Sequence, residues 1–181
     1  HLACTTAVAL PVALLVMGRR AYRVARLVAF LNPWADPLGG GYQLVQSELA
    51  FGAGGLFGAG FGAGQQKLFF LPEAHNDFIL SVVGEEVGLL GVAAVLAGFA
   101  VFTLSALGIA QRAKTPFATL VAVGASLLLW LQALLNSGVA MGLLPTKGST
   151  LPLVSYGGTS LIASLAAIGL ILNAARPSKR G

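Results

Sequence analysis

Of 181 residues, 56% are hydrophobic and only 9% are charged, with a formal net charge of +5; soluble globular domains carry about a quarter charged residues, so a soluble enzyme or a nucleic-acid-binding domain is excluded. The basic residues fall at the ends of apolar stretches, where topology and lipid headgroups account for them. The single cysteine, Cys4, permits no internal disulfide and reads as a small packing residue.

The first predicted span covers 2–17. The chain begins at His1 inside this apolar stretch, without an initiator Met, a basic n-region or a cleavage site, and so reads as a piece of a longer protein rather than as a signal peptide. Residues 18–77 are too polar and too glycine-rich for a crossing and predict a large folded loop. Its opening interleaves Arg19, Arg20, Arg23 and Arg26 with Tyr22, Val24, Leu27 and Phe30, the pattern of an interfacial amphipathic helix. Pro33 and Pro37 end that helix. A short helix from about Tyr42 to Phe51 follows, with Gln43, Gln46 and Ser47 as a polar stripe. Phe-Gly-Ala-Gly then recurs at Phe51, Phe57 and Phe61, which predicts a close-packing or hinge element and not a regular helix.

Three further spans are predicted over 78–110, 117–141 and 155–173. The first of these exceeds the roughly 20 residues a crossing needs and is expected to tilt, or to emerge from the membrane at its N-terminal end. Arg112 and Lys114 lie between the second and third spans. Parity puts them on the side of Arg176, Lys179 and Arg180, which the positive-inside rule makes cytoplasmic. The expected fold is therefore all-α: a polytopic membrane helical bundle of about four transmembrane helices, with one large extracytoplasmic loop containing short helices.

Two places could carry chemistry. At the join of loop and span, Glu73-Ala-His75-Asn-Asp77 precedes a helix that would place Ser81, Gly84, Gly88 and Gly91 on the same small, polar face as Asp77. Asp77 is readable as a helix cap or as a proton acceptor, and the two roles are compatible. Glu85, deeper in the span, is costly there and a functional candidate by default. It and Glu86 are expected to face apart, one of them pairing with a basic residue. His75 reads as a hydrogen-bonding or headgroup contact, and no residue set has metal-ligand spacing. The second place is the loop from Gly142 to Gly158. Its one charge, Lys147, could meet an anionic head group, and Ser155, Tyr156, Gly157 and Gly158 are expected to open a helix whose free amides attract phosphate. The alternative there is an ordinary re-entrant turn with an interfacial lysine. Gly58-x-Gly60-x-x-Ala63 has no βαβ context, so nucleotide binding is rejected.

The blocks Phe30-Leu-Asn-Pro-Trp-Ala-Asp-Pro-Leu-Gly, Gly41-Tyr-Gln-Leu-Val-Gln-Ser, Gly54-Gly-Leu-Phe-Gly, Leu71-Pro-Glu-Ala-His-Asn-Asp-Phe-Ile, Gly84-Glu-Glu-Val-Gly, Gly142-Leu-Leu-Pro-Thr-Lys-Gly and Pro152-Leu-Val-Ser-Tyr-Gly-Gly resemble, in order and separation, the SEDS (shape, elongation, division, sporulation) family of bacterial cell-wall glycan polymerases. Glu-Ala-His before Asp77 and Pro-Thr-Lys-Gly at Pro145 resemble its division branch, FtsW-like, more than the elongation branch. Asn76 stands where the family usually has Thr, and Glu48 where an apolar residue is common.

The resemblance implies the C-terminal portion of a ten-helix membrane domain and a glycosyltransferase that polymerises lipid II, which serves as both donor and acceptor. It matches Asp77 to the loop aspartate expected to take the proton of the acceptor hydroxyl. Lys147 and the turn Ser155, Tyr156, Gly157, Gly158 become candidates for the lipid diphosphate, with Lys67 and Arg26 as weaker cations. Glu73, His75, Gln43, Gln46 and Ser47 complete the substrate-binding candidates. No metal site and no certain cofactor are implied, a divalent cation being left open. The implied partners are lipid II, a class B penicillin-binding transpeptidase, other divisome membrane proteins and membrane lipid, with no nucleic acid. The implied location is the bacterial cytoplasmic (inner) membrane at the division septum. A lipid II flippase, a non-catalytic scaffold and an elongation-type polymerase are the competing readings.

Overall fold

The computed structural model describes residues 21–64 and 76–175, so the predicted span 2–17 and the candidates Lys67, Glu73 and His75 lie outside the described residues. The described chain is helical or irregular, without a strand, and divides into two compact units, 1–45 and 46–181.

In the first unit, α1 (Ala21–Leu31) keeps Leu27, Val28 and Leu31 exposed, as expected of an amphipathic helix with an apolar face to give to an interface. It stops at Asn32, and Pro33–Ala35 form one 3-10 turn. The Asp36 carboxylate then accepts a hydrogen bond from the Gly40 amide at 2.9 Å, shaping the turn from which α2 (Tyr42–Gly54) starts. Helix α2 runs three residues further than its sequence predicts, because the first Phe-Gly-Ala-Gly is helical. The second and third copies are turns, with positive φ at Gly55, Gly58, Gly60 and Gly62.

In the second unit, α3 (Ile79–Gln111), α4 (Pro116–Ala140) and α5 (Gly158–Ala174) pack together. Helices α3 and α4 match their predicted spans to one residue at each end and are long and apolar enough to cross a membrane. Pro116 at the first position of α4 needs no amide partner, and the Thr115 hydroxyl caps the helix by accepting from the Ala118 amide at 3.2 Å. Helix α5 begins three residues later than predicted. Its 17 residues span about 25 Å at 1.5 Å per residue, slightly less than a hydrocarbon core of roughly 30 Å. Phe78, Leu80, Val92, Phe99, Ala133 and Leu151 form the shared core, while Val101, Leu104, Leu120, Ile162 and Leu165 face outward.

Helix α3 is not one continuous helix. Gly88 has φ 75° and ψ −169°, a break between 79–87 and 89–111, and a side chain is excluded there because a Cβ would stand 2.5 Å from the Leu56 carbonyl oxygen. The 23 residues beyond the break span about 35 Å, enough for a crossing by themselves. The surplus length that the sequence leaves to tilt or emergence is thus a separate N-terminal segment.

The break opens two helical hydrogen bonds, and the glycine-rich loop closes them. The Leu89 amide donates to the Gly55 carbonyl at 2.9 Å and the Leu90 amide to Leu56 at 3.3 Å, while Ala59 donates to the Glu85 carbonyl at 2.8 Å and Gly60 to Glu86 at 3.1 Å. Each unsatisfied backbone group in an apolar medium costs several kcal/mol, so this exchange is what makes a broken helix tenable. Ser47 holds α2 in the same unit. Its buried hydroxyl donates to the Ala140 carbonyl and shares a 2.6 Å hydrogen bond with Ser81.

Candidate active site

Asp77 lies in the turn Asn76–Phe78 that precedes α3 and is half-buried. The N-cap position of α3 is Phe78, whose side chain makes no capping bond, and Asp77 stands one residue before it. The Asp77 carboxylate lies beside the loop between α4 and α5: a Cβ built on Gly148 would stand 3.3 Å from Asp77 Oδ2. The two sequence candidates, far apart in the chain, therefore meet. Glycine at 148 leaves room for that approach.

Side chains of α4 and of the loop hold the meeting point. Asn136 Nδ2 donates to the Asp77 carbonyl at 2.9 Å and to the Ser149 carbonyl. One turn earlier on α4, Gln132 Nε2 donates to the Thr150 carbonyl at 3.1 Å. Ser155 accepts from the Leu151 amide at 2.8 Å and donates to the Asn76 carbonyl, and Thr150 donates to Ser160 at 2.8 Å. The turn before α3 and the loop before α5 are thereby tied by hydrogen bonds to backbone carbonyls.

Beside this junction, between α4 and α5, opens a cavity of about 920 Å³. Leu128, Leu131 and Leu135 form an apolar wall, and Lys147, Thr150 and Ser160 supply polar groups. Lys147 is exposed. Asp77 does not line the cavity; its neighbour Gly148 does. The cavity's combination of a long apolar wall and a cationic rim suits an amphiphile with an anionic head. At the other end of the bundle, Lys114 and Asn173 share a smaller groove, which puts the α3–α4 turn beside the end of α5.

Several expectations change. Ser155 belongs to the loop and spends its hydroxyl there, so the amide-lined helix opening begins at Gly157, an extended residue that does line the cavity. Tyr156 is 85% exposed and Gly158 exposed; neither lines the cavity. Ser47 is fully buried and serves packing rather than a ligand. Gln46 is half-buried, and Gln43 and Arg26 belong to the first unit. The small face through Ser81, Gly84, Gly88 and Gly91 is interrupted at Gly88 and already covered: Ser81 is bonded to Ser47, and a Cβ on Gly84 would strike the Phe51 ring. Glu85 and Glu86 do not diverge. A Cβ on Gly64 would stand 2.9 Å from Glu85 Oε2 and 3.1 Å from Glu86 Oε1, because the loop ends in the notch between two side chains about 100° apart on the helix. No acidic or histidine cluster among the described residues could hold a metal ion.

Asn136 and Gln132 are absent from the sequence-based candidates. Their signal was two amides at i and i+4 in an otherwise apolar helix, and polar side chains in such a helix are rarely idle.

Residues 1–180 match the family model of FtsW, RodA and SpoVE, described as cell cycle proteins. The chain belongs to this family. The SEDS resemblance is thus confirmed, and its FtsW-like character is borne out by the relatives that follow. A probable peptidoglycan glycosyltransferase FtsW of Geobacter metallireducens is 55% identical over 152 residues, 84% of this chain and 40% of that protein. Its counterpart in Thioalkalivibrio sp. (strain K90mix) is 53% identical over 161 residues, 87% of this chain and 40% of that one.

Among solved structures, a chain from work on the structural coordination of polymerization and crosslinking by a peptidoglycan synthase complex superposes with a TM-score of 0.73 at 35% identity. It covers 99% of this chain and 49% of that one. The Thermus thermophilus rod shape determining protein RodA, crystallised with an aspartate replaced by alanine, gives 0.57 at 35% identity over 82% of this chain and 45% of that one. The chain therefore spans less than half the length of these relatives. It is part of a polytopic, all-α membrane protein.

Proposed function

We propose that the protein to which this chain belongs is a peptidoglycan glycosyltransferase that polymerises lipid II into glycan strands during cell division, with Asp77 as the general base. The observation that carries this reading is the placement of the Asp77 carboxylate against Gly148, next to Lys147 and the cavity between α4 and α5. A sugar hydroxyl is a poor nucleophile until a base takes its proton, and a half-buried carboxylate on a turn fixed by hydrogen bonds can do so. The anomeric carbon loses a lipid diphosphate, whose growing negative charge needs a cation or free amides nearby. Lys147 and the Gly157 start of α5 are the groups at hand, with the apolar wall for the prenyl chain.

The FtsW names of the relatives support the polymerase reading over a flippase. In this reading the turn before α3 and the loop before α5 face outside the cytoplasmic membrane, and Arg112 and Lys114 face the cytoplasm. The likeness to a peptidoglycan synthase complex supports a transpeptidase partner of the penicillin-binding class, and division places both at the septum. The test incubates purified whole protein with lipid II, with and without that partner. Glycan strands from wild type and a loss of about 10²- to 10⁴-fold in Asp77→Asn are expected. Strands from Asp77→Asn at the wild-type rate would remove the carboxylate from catalysis, and unchanged lipid II moved between leaflets would make the protein a flippase.

A further inference from the structure

We infer that Asn136 is the positioning residue of this site: one buried amide holds the Asp77 and Ser149 carbonyls together and so keeps the Asp77 carboxylate against the Lys147–Gly148 turn. This rests on the polymerase reading above.

Asn136 is fully buried in α4. Both hydrogens of its Nδ2 are committed, to Asp77 at a separation of 59 residues and to Ser149 at 13. Two carbonyl acceptors fix the orientation of the amide, since the side-chain oxygen could bond neither. Its Oδ1 is buried without a donor among the described residues. A leucine at this position would avoid that cost, so the amide is explained by what its nitrogen joins. Gln132 makes the comparison clear. It too bonds the loop, at Thr150, but of the two α4 amides it is Asn136 that reaches the turn carrying Asp77, at the residue itself, while Ser155 holds the same turn one residue earlier, at the Asn76 carbonyl. The Asn136 hydrogen bonds go to backbone carbonyls, and the residue acts through Asp77.

Because a misplacement of about 1 Å at a reacting group costs on the order of 100-fold, loss of this link should appear in turnover and not in binding. The experiment is steady-state polymerisation of lipid II by the whole protein, normalised to inserted protein. Asn136→Ala is expected to lower kcat by about 30- to 100-fold while KM for lipid II changes less than about threefold. In an Asp77→Glu background, where the carboxylate is already displaced by a methylene, the same substitution should cost less than about threefold, since one placement cannot be lost twice.

A raised KM with unchanged kcat, or equal losses in both backgrounds, overturns the inference. Should the alanine variant fail to insert, Asn136→Asp keeps the shape and sets oxygen against both carbonyls, and wild-type kcat in that variant overturns it equally. Gly148→Ala reads the same geometry without touching α4: its methyl carbon would sit 3.3 Å from Asp77 Oδ2, so kcat should fall at constant KM, and an unaltered kcat counts against the inference. If Asp77→Asn is inactive while the Asn136 and Gly148 variants turn over normally, only the positioning role is lost. Wild-type turnover by Asp77→Asn removes the base assignment, and the absence of glycan strands from the wild-type protein is failure of the polymerase reading itself.

Discussion

The two glycine-containing loops of the second unit, 55–64 and 141–157, do opposite things with the same kind of backbone. The first closes onto α3: Gly55, Leu56, Ala59 and Gly60 exchange hydrogen bonds with its broken turn, and a Cβ on Gly58 would strike the backbone of Glu86 and Val87. The second is held from its sides by Asn136, Gln132 and Ser160, and leaves Lys147 on the rim of a cavity. Glycine content does not separate packing from a site. What separates them is where the backbone bonds go. In the first loop main chain meets main chain where residues 55–60 face α3; in the second, side chains hold the backbone and leave a cavity beside it.

Asp77→Asn should have the largest effect on activity, about 10²- to 10⁴-fold in polymerisation with the protein still inserted, the range of a positioned base. It would mark the second loop's surroundings as the chemical ones. Gly88→Val should break the other side of the comparison. A non-glycine residue at that φ and ψ, together with overpacking, should cost about 3 kcal/mol or more, seen as lost folded protein in a thermal-stability measurement. If Gly88→Val folds normally, the first loop is not locked to α3 as described. Lys147→Ala, on an exposed side chain, should weaken use of the lipid diphosphate by roughly tenfold with no change in melting. A matched loss of both would make the lysine structural. Smallest is Ser47→Ala, about 1–2 kcal/mol of stability from the Ala140 and Ser81 bonds, with turnover per folded molecule kept. A change in turnover would return Ser47 to the substrate.

Apolar length made α3 and α4 legible in the sequence to one residue at each end, although the Thr115-Pro116 start of α4 reads as loop. The break in α3 was not. Gly84, Gly88 and Gly91 keep helical spacing, and the groups that replace the lost bonds are backbone amides and carbonyls, which leave no side-chain trace. The start of α5 reads three residues early, at Ser155, because Ser155-Tyr-Gly-Gly runs straight into the apolar stretch, whereas the Ser155 hydroxyl is bonded to the Leu151 amide and the Asn76 carbonyl within the loop. Asp77 and Lys147 were each readable as chemistry. Their meeting was not, since the bonds that join the two segments come from Asn136, one polar residue in a helix whose apolar length already accounted for it, and from Ser155, and both go to backbone carbonyls.

The exchange of hydrogen bonds at Gly88 ties the fates of two stretches thirty residues apart. Leu89 and Leu90 on one side and Ala59 and Gly60 on the other can release their amide protons to solvent only together, so hydrogen–deuterium exchange should report them as one opening event. A splice that lengthened or shortened 55–60 would then unfasten the helix as well, and this loop is a poor place for an epitope tag or a grafted segment.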